Sequence, residues 1–388
     1  MFPLSATAFR GLLVACLSAA VLSACADGSR ATGLTASSSL VTTSASTATG
    51  IQFVPLNLPI DLTPDGSLAL LEDGRSREVD LYFYETRTGK LELKAHAGDP
   101  QFDFATGISA GGRISATHRA QAQAGLWSEA TGWLDLGSPY TAGCPGAGDA
   151  SAWDVSADGH VAVGLAWNGC NAEAFRWTDA TGPGVFTKLQ LLGSRPGGPP
   201  ANRATVVSDD GRVAAGWAAK TPVDRWPAVW RADGHGMLLP ILPGATEDAP
   251  GEVLSISADG RMVAGTWNSD AFYWTTSTGT VNIGKLRTAL PTDPTFANAI
   301  AADGKLIFGG CGDPIFGVPV AFVWTAAEGM RSLQNVAASH GIVIPAGYVL
   351  TSVMAASADG SILLGVAYDP SFNQVSFVMR LPTRAYGV

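Results

Sequence analysis

VSADGHVAVG (Val155–Gly164) and ISADGRMVAG (Ile256–Gly265) are nearly the same ten residues, written twice in one chain. Aligned on the turn glycine, the stretch recurs seven times, at Gly66, Gly112, Gly159, Gly211, Gly260, Gly304 and Gly360, at intervals of 44 to 56 residues. Six copies carry Asp before the glycine, and the second has Gly111 there. Asp bonds locally to a turn, and Gly accepts the positive φ that a tight hairpin needs. A short apolar strand precedes each turn (AWDVS, ATVVS, VLSIS, ANAIA) and a second follows it (HVAVG, RVAAG, RMVAG, SILLG). After a variable loop comes a third strand ending near an aromatic (AFRWT, PAVWR, AFYWT, AFVWT). A fourth follows, such as FTKLQLL, GMLLPIL or MRSLQNV. Four strands at this spacing make one propeller blade, and no helical period competes with them.

Seven copies predict an all-β, seven-bladed β-propeller over residues 51–388. The seventh copy ends at LPTRAYGV without room for a fourth strand, whereas IQFVPLNLP, from Ile51, is an orphan strand upstream of the first copy. It is expected to pair as the outer strand of the last blade and close the ring, leaving only short, protected edges. Composition agrees. Apolar residues make up 46% and charged residues 15%, with 46 Gly and 11 Trp, as suits a turn-rich β protein. The formal charge of -9 and the lack of a Lys/Arg run argue against a nucleic-acid partner.

Residues 1–24 read as an address rather than as structure. GLLVACLSAAV is too short for a permanent membrane helix, and Leu22-Ser23-Ala24-Cys25 follows it. This resembles a bacterial lipoprotein signal, which implies cleavage before Cys25 and lipid on that residue; the alternative is an ordinary secretory leader. Ala26 after Cys25, where Asp would retain such a protein in the inner membrane, implies outer-membrane sorting. Residues 25–50, rich in Ser, Thr, Ala and Gly, read as a flexible tether.

The third strands Ala174-Phe175-Arg176-Trp177-Thr178, Ala271-Phe272-Tyr273-Trp274-Thr275 and Ala321-Phe322-Val323-Trp324-Thr325 resemble the extracellular HAF repeat family. LTPDG, from Leu62, resembles the turn of TolB-like propellers and, more loosely, WD40-like repeats. The His that names the HAF repeat is replaced by Glu173, Asp270 and Val320. The resemblance therefore implies a fold and an envelope location, and no site.

Strand order puts the Ala-Asp-Gly turns on one face and the second-to-third loops with the blade-to-blade connections on the other. Uniform turns against varied loops make the second face the expected binding surface. Cys144 and Cys170 fall at the same end of adjacent strands, where an oxidising envelope favours a disulfide over two thiols. Cys311, in GGCGDP, is left over, either as a nucleophile or as a chance thiol. Trp153, Trp167-Asn168, Trp267-Asn268 and Tyr368-Asp369 are candidates for stacking on a sugar or peptide and bonding its polar edge; otherwise the rings pack between blades, as Trp177, Trp230, Trp274 and Trp324 are expected to. Asp99, Asp103, Asp149, Glu247, Asp248, Asp293 and Asp313 gather in the loops without Ca²⁺-ligand spacing, so a solvated acidic face is the default. Arg113, His160, Arg212, Arg261 and Lys305 follow the turn glycines and would make the opposite rim basic.

The five His form no metal motif, and there is no GxSxG, P-loop or GxGxxG before a helix, so no cofactor or metal is expected. The leading expectation is a lipid-anchored envelope propeller, monomeric, that binds a protein or surface glycan as a binding or scaffold module. The rival is a propeller enzyme acting on polysaccharide, hydrolase or lyase, with two channel carboxylates about 5–10 Å apart. A purely structural repeat is the third reading.

Overall fold

The computed structural model describes residues 49–74, 80–95, 104–118, 123–141, 143–144, 149–312 and 319–388. These form seven four-stranded antiparallel sheets set around an axis as a seven-bladed propeller. Blade one spans Leu58 to Ala95, blade two Phe104 to Gly137, blade three Ala150 to Lys188 and blade four Asn202 to Leu238. Blade five runs from Gly251 to Asn282 and blade six from Thr295 to Ser332. Blade seven takes three strands between Val349 and Arg380, and its outermost strand is Gly50–Val54, paired in antiparallel register from Gly50 opposite Arg380 to Val54 opposite Ser376. The ring is closed by its amino-terminal strand, as the orphan segment implied. IQFVPLNLP is divided, however: after Val54 the chain crosses to Leu58–Leu62, the innermost strand of blade one.

The turn explains why the repeat is written as it is. In blade five, Ser257 Oγ donates to Asp259 Oδ1 at 2.9 Å and accepts the Met262 amide at 3.0 Å, while Asp259 Oδ1 also accepts the Arg261 amide. Gly260 closes the turn at φ 68°. The bond from the Arg261 amide, outweighing burial, holds the Asp259 carboxyl below its ordinary range. The same bracket is built on Ser156, Ser208, Ser357 and Thr63. Blade six has Ala301 in that place and keeps only the bond from the Lys305 amide to Asp303.

A second glycine, the last residue of both opening stretches, has a different task. Every innermost strand carries a β-bulge, for example between Ala152 and Asp154 and between Val253 and Ser255. Gly164 and Gly265 lie opposite the bulge, where a Cβ would sit 2.0 Å from the carbonyl oxygens of Ser151 and Glu252. The bulge turns one extra residue of each innermost strand toward the axis.

Blades are joined by apolar packing of small residues on large ones. Val161, Val163 and Ala174 of blade three meet Ala204, Val207 and Trp230 of blade four. After Arg380, a 3₁₀ turn (Thr383–Tyr386) seals the join of blades six and seven, with Tyr386 fully buried and its hydroxyl donating to the Gly360 carbonyl at 2.9 Å.

Two expectations need correction. The fourth strands are shorter than FTKLQLL, GMLLPIL and MRSLQNV: only Val185–Lys188, Gly236–Leu238 and Gly329–Ser332 pair, and Leu333–Ser339 forms a helix, α1, in the last blade-to-blade connection. The second-to-third loops are also not uniformly long. Asn168 pairs with Asn171, Lys220 with Val223 and Trp267 with Asp270, so blades three to five use two-residue hairpins there. Asn268 and Ser269 both have positive φ, 51° and 68°, which is the backbone of a type I′ turn. Variation on this face therefore comes mainly from the blade-to-blade connections.

Candidate functional site

The central channel collects the chain's most distinctive chemistry. Residues of an innermost strand have sheet on both flanks, so partial exposure there faces the axis. Leu58, Ile60, Phe104, Leu254, Phe296 and Met354 are half-exposed in this way and form an apolar wall. Ser151 and Trp153 of blade three, Arg203 and Thr205 of blade four and Glu252 of blade five form a polar wall. At the turn face the blades are drawn together by backbone hydrogen bonds from Ala110 to Ala157, Ala157 to Asp209, Ala258 to Ala302, Ala302 to Ala358, and Ala358 to Pro64, of 2.6–3.3 Å. Pro64 has no N–H with which to extend the ring. No such ring of bonds joins the innermost strands at the loop face among the described residues.

At the loop-face mouth a buried ion cluster spans blades four and five. Glu252 takes Arg203 Nη2 and the Thr205 hydroxyl (2.8 Å) on Oε1, and Arg225 Nη1 (3.0 Å) on Oε2. The Arg203 guanidinium lies 3.9 Å over the Trp153 ring, whose Nε1 donates to Ser151 Oγ at 3.0 Å. Arg225 lies 5.3 Å from the Trp217 ring.

Deeper in, two carboxylates clamp neighbouring blades. Asp61 accepts the amides of Leu62, in its own blade, and Ile108, in blade two, at 2.8 and 2.9 Å. Asp154 does the same for Val155 and for Val207 of blade four, both at 2.7 Å. Gly107 makes room for it: a Cβ there would lie 2.7 Å from Asp154 Oδ1. Burial pushes the Asp61 carboxyl up to about 6 against the pull of its two amide bonds. Asp154 is raised well above the ordinary range by burial first and then by the nearby charge of Asp61.

The structure does not gather the residues singled out from the sequence into one site. Trp153 lies on an innermost strand, in the channel rather than on a loop. Trp167-Asn168, Trp267-Asn268 and Tyr368-Asp369 sit at the loop-face ends of the second strands of blades three, five and seven, with a whole blade between each pair and the next. Trp267 is fully buried, edge-on to Trp226 at 4.8 Å with Nε1 bonded to the Ala249 carbonyl, and so offers no ring to a ligand. Asn268 shapes its turn. Asn168 donates to Glu173 at 3.0 Å, and Asp369 accepts the Ser371 and Asn373 amides and so shapes its own loop. Trp167 and Tyr368 are half-buried.

Cys144 and Cys170 form a disulfide with S–S 2.05 Å and Cα–Cα 4.6 Å. Cys311 is buried, with its sulfur accepting the Thr295 hydroxyl, which removes it from the surface where a nucleophile would act. Trp177, Trp230 and Trp274 are buried as expected, and Trp324 is half-buried 5.3 Å from Tyr273. The turn face is not a basic rim. Arg113 and His160 both meet Asp179, and Arg212, Arg261 and Lys305 each lie within 4 Å of the turn carboxylate of Asp210, Asp259 or Asp303. Among the loop acids, Glu247 pairs with Lys220 and Asp293 accepts the Leu290 amide. Cys25, Asp99, Asp103 and Asp313 lie outside the described residues. No group of three His, Cys, Asp or Glu among the described residues is placed to hold a metal, and no described helix is long and apolar enough to cross a membrane.

No family model matches the sequence, and no curated protein sequence matches it. Among solved structures, an oligogalacturonate lyase in complex with manganese is similar over 87% of this chain and 92% of its own, at 13% identity and TM-score 0.52. The β-propeller domain of the trilobed protease from Pyrococcus furiosus is similar over 84% of this chain and 96% of its own, at 9% identity and TM-score 0.51. TolB from Acinetobacter baumannii matches at 15% identity and TM-score 0.41 over 58% of this chain, which spans only 61% of that protein. At such identities the likeness is one of β-propeller fold alone.

Proposed function

We propose that this chain is a cell-envelope binding or scaffold module, lipid-anchored at Cys25, that meets a protein or glycan partner on its loop face and channel mouth. The observation carrying this reading is the distribution of exposed apolar side chains. Of the ten large apolar side chains exposed among the described residues, Leu191, Ile241, Leu290, Val343 and Phe372 stand in loop-face segments, Val343 and Phe372 being the most exposed of all at 82% and 78%, while Leu93, Leu134, Val185 and Met237 lie on fourth strands and Val388 ends the chain. Large exposed apolar side chains on one face of a closed ring favour association there. Topology agrees with an anchor on the other side. Gly50, where the described chain enters the last blade, lies opposite Arg380 at the turn-face end, away from the loop face. The resemblance of the third strands to extracellular HAF repeats is in keeping with an envelope location.

The polysaccharide-enzyme reading has less support. Of the described channel acids, Glu252 is held by two guanidiniums and Asp61 and Asp154 by backbone amides, which leaves Asp209 beside them without a second carboxylate free to work with it. The lyase likeness in fold does not transfer an activity.

The test is capture of the partner from native envelopes with the full chain. Val343→Ser with Phe372→Ser should reduce its yield roughly tenfold, as loss of a hot-spot contact does, with an unchanged melting temperature. Undiminished capture would overturn the loop-face reading. Cys25→Ser should move the protein from the membrane to the soluble fraction, and retention in the membrane would overturn the anchor.

A further inference from the structure

Arg203 stands at the channel mouth with most of its hydrogen-bonding capacity unused. Its side chain is only 4% exposed, yet of five N–H donors only one, on Nη2, meets an acceptor among the described residues. Nε is buried and meets no acceptor among the described residues. Glu252 meets Arg203 only through Nη2, and its carboxylate is shared with Arg225 and the Thr205 hydroxyl. A stacked, fixed guanidinium with unmet donors is suited to an oxyanion supplied from outside the chain.

We propose that the channel mouth is a subsite for a carboxylated sugar residue, with the carboxylate on Arg203 and the sugar ring on the exposed part of Trp153. This rests on the binding reading above and gives it a ligand class. The flat indole suits the C–H face of a pyranose, and the Ser151 hydroxyl beside it can bond a ring hydroxyl. A carboxylate fits better than a phosphate, because Glu252 already cancels part of the local positive charge and a second full negative charge would lack a counterpart. The half-exposed Phe104 and Phe296 on the apolar wall suit the remaining sugar surface better than a charged chain.

The experiment is titration calorimetry of the full chain at physiological salt with two matched ligands. One is a β-1,4-linked glucuronate tetramer; the other is cellotetraose, which differs only in carrying hydroxymethyl for carboxylate. The acidic tetramer should bind at least about tenfold more tightly. Arg203→Lys, which keeps the charge and loses the fork, should erase that preference, and Trp153→Phe should weaken both saccharides. Should Arg203→Lys fail to fold, the matched pair on the unaltered chain decides by itself. Equal affinities, no binding of the acidic tetramer, a preference that survives Arg203→Lys, or tighter binding of a tetrapeptide bearing a free carboxylate would each overturn the subsite. Because partner capture is read separately through Val343 and Phe372, a failure here with capture intact removes the sugar subsite and leaves the loop-face reading standing.

Discussion

Trp167 and Trp267 show how a single residue of register decides a side chain's use. Each precedes an Asn at the end of a second strand, and in the sequence they look equivalent. Counted from the turn glycine, however, Trp167 follows Gly159 by an even number of positions and Trp267 follows Gly260 by an odd one. Side chains alternate faces along a strand, so the two rings point to opposite sides of their blades. Trp267 is sealed beside Trp226 and Phe272, whereas Trp167 stays half-exposed. Truncating Trp267 to Ala should cost about 3–5 kcal/mol, as expected for a large ring removed from a packed core. Trp167→Ala should cost under about 1 kcal/mol. Urea unfolding midpoints measure both, and a small loss at Trp267 would contradict its burial.

Among the strands, much of the architecture was legible. Asp-Gly marked every turn but the second, and the interval between copies marked four strands per blade. What was not legible has a physical reason. The bulge is a backbone event with no residue of its own, visible only through the glycine opposite it, as at Gly164 and Gly265. The Ser three residues before the turn glycine, which completes the bracket, was in plain view but reads as an ordinary strand residue until its hydroxyl is placed. The channel mouth was hidden more deeply, because Trp153, Arg203, Arg225 and Glu252 come from three blades and no local spacing connects them.

The inter-blade carboxylates carry a pH signature. Asp61 titrates near 6 in the folded chain, and near 3.9 when unfolded. Between those values the folded state holds the extra proton, so stability falls as pH rises through that window and reaches its lower level above about 6. Acidifying from pH 7.5 to 5 should therefore raise the urea midpoint, with Asp154 acting in the same direction. Asp61→Asn should flatten that rise, and an unchanged pH slope in this variant would contradict the assignment.

The whole molecule is a closed ring whose turn face is drawn tight around the axis. Closure joins residues more than three hundred positions apart, so the last blade depends on the first strand of the folded body. Ser376 shows the dependence locally: its amide and hydroxyl both bond the Leu56 carbonyl, at 2.7 and 2.8 Å. Hydrogen–deuterium exchange tests this most directly. Amides of Gly50–Val54 should be protected to the same degree as those of Gln374–Arg380, and a chain beginning at Pro55 should lose protection in Gln374–Arg380. Rapid exchange of Gly50–Val54 while the last blade stays protected would contradict the closed ring.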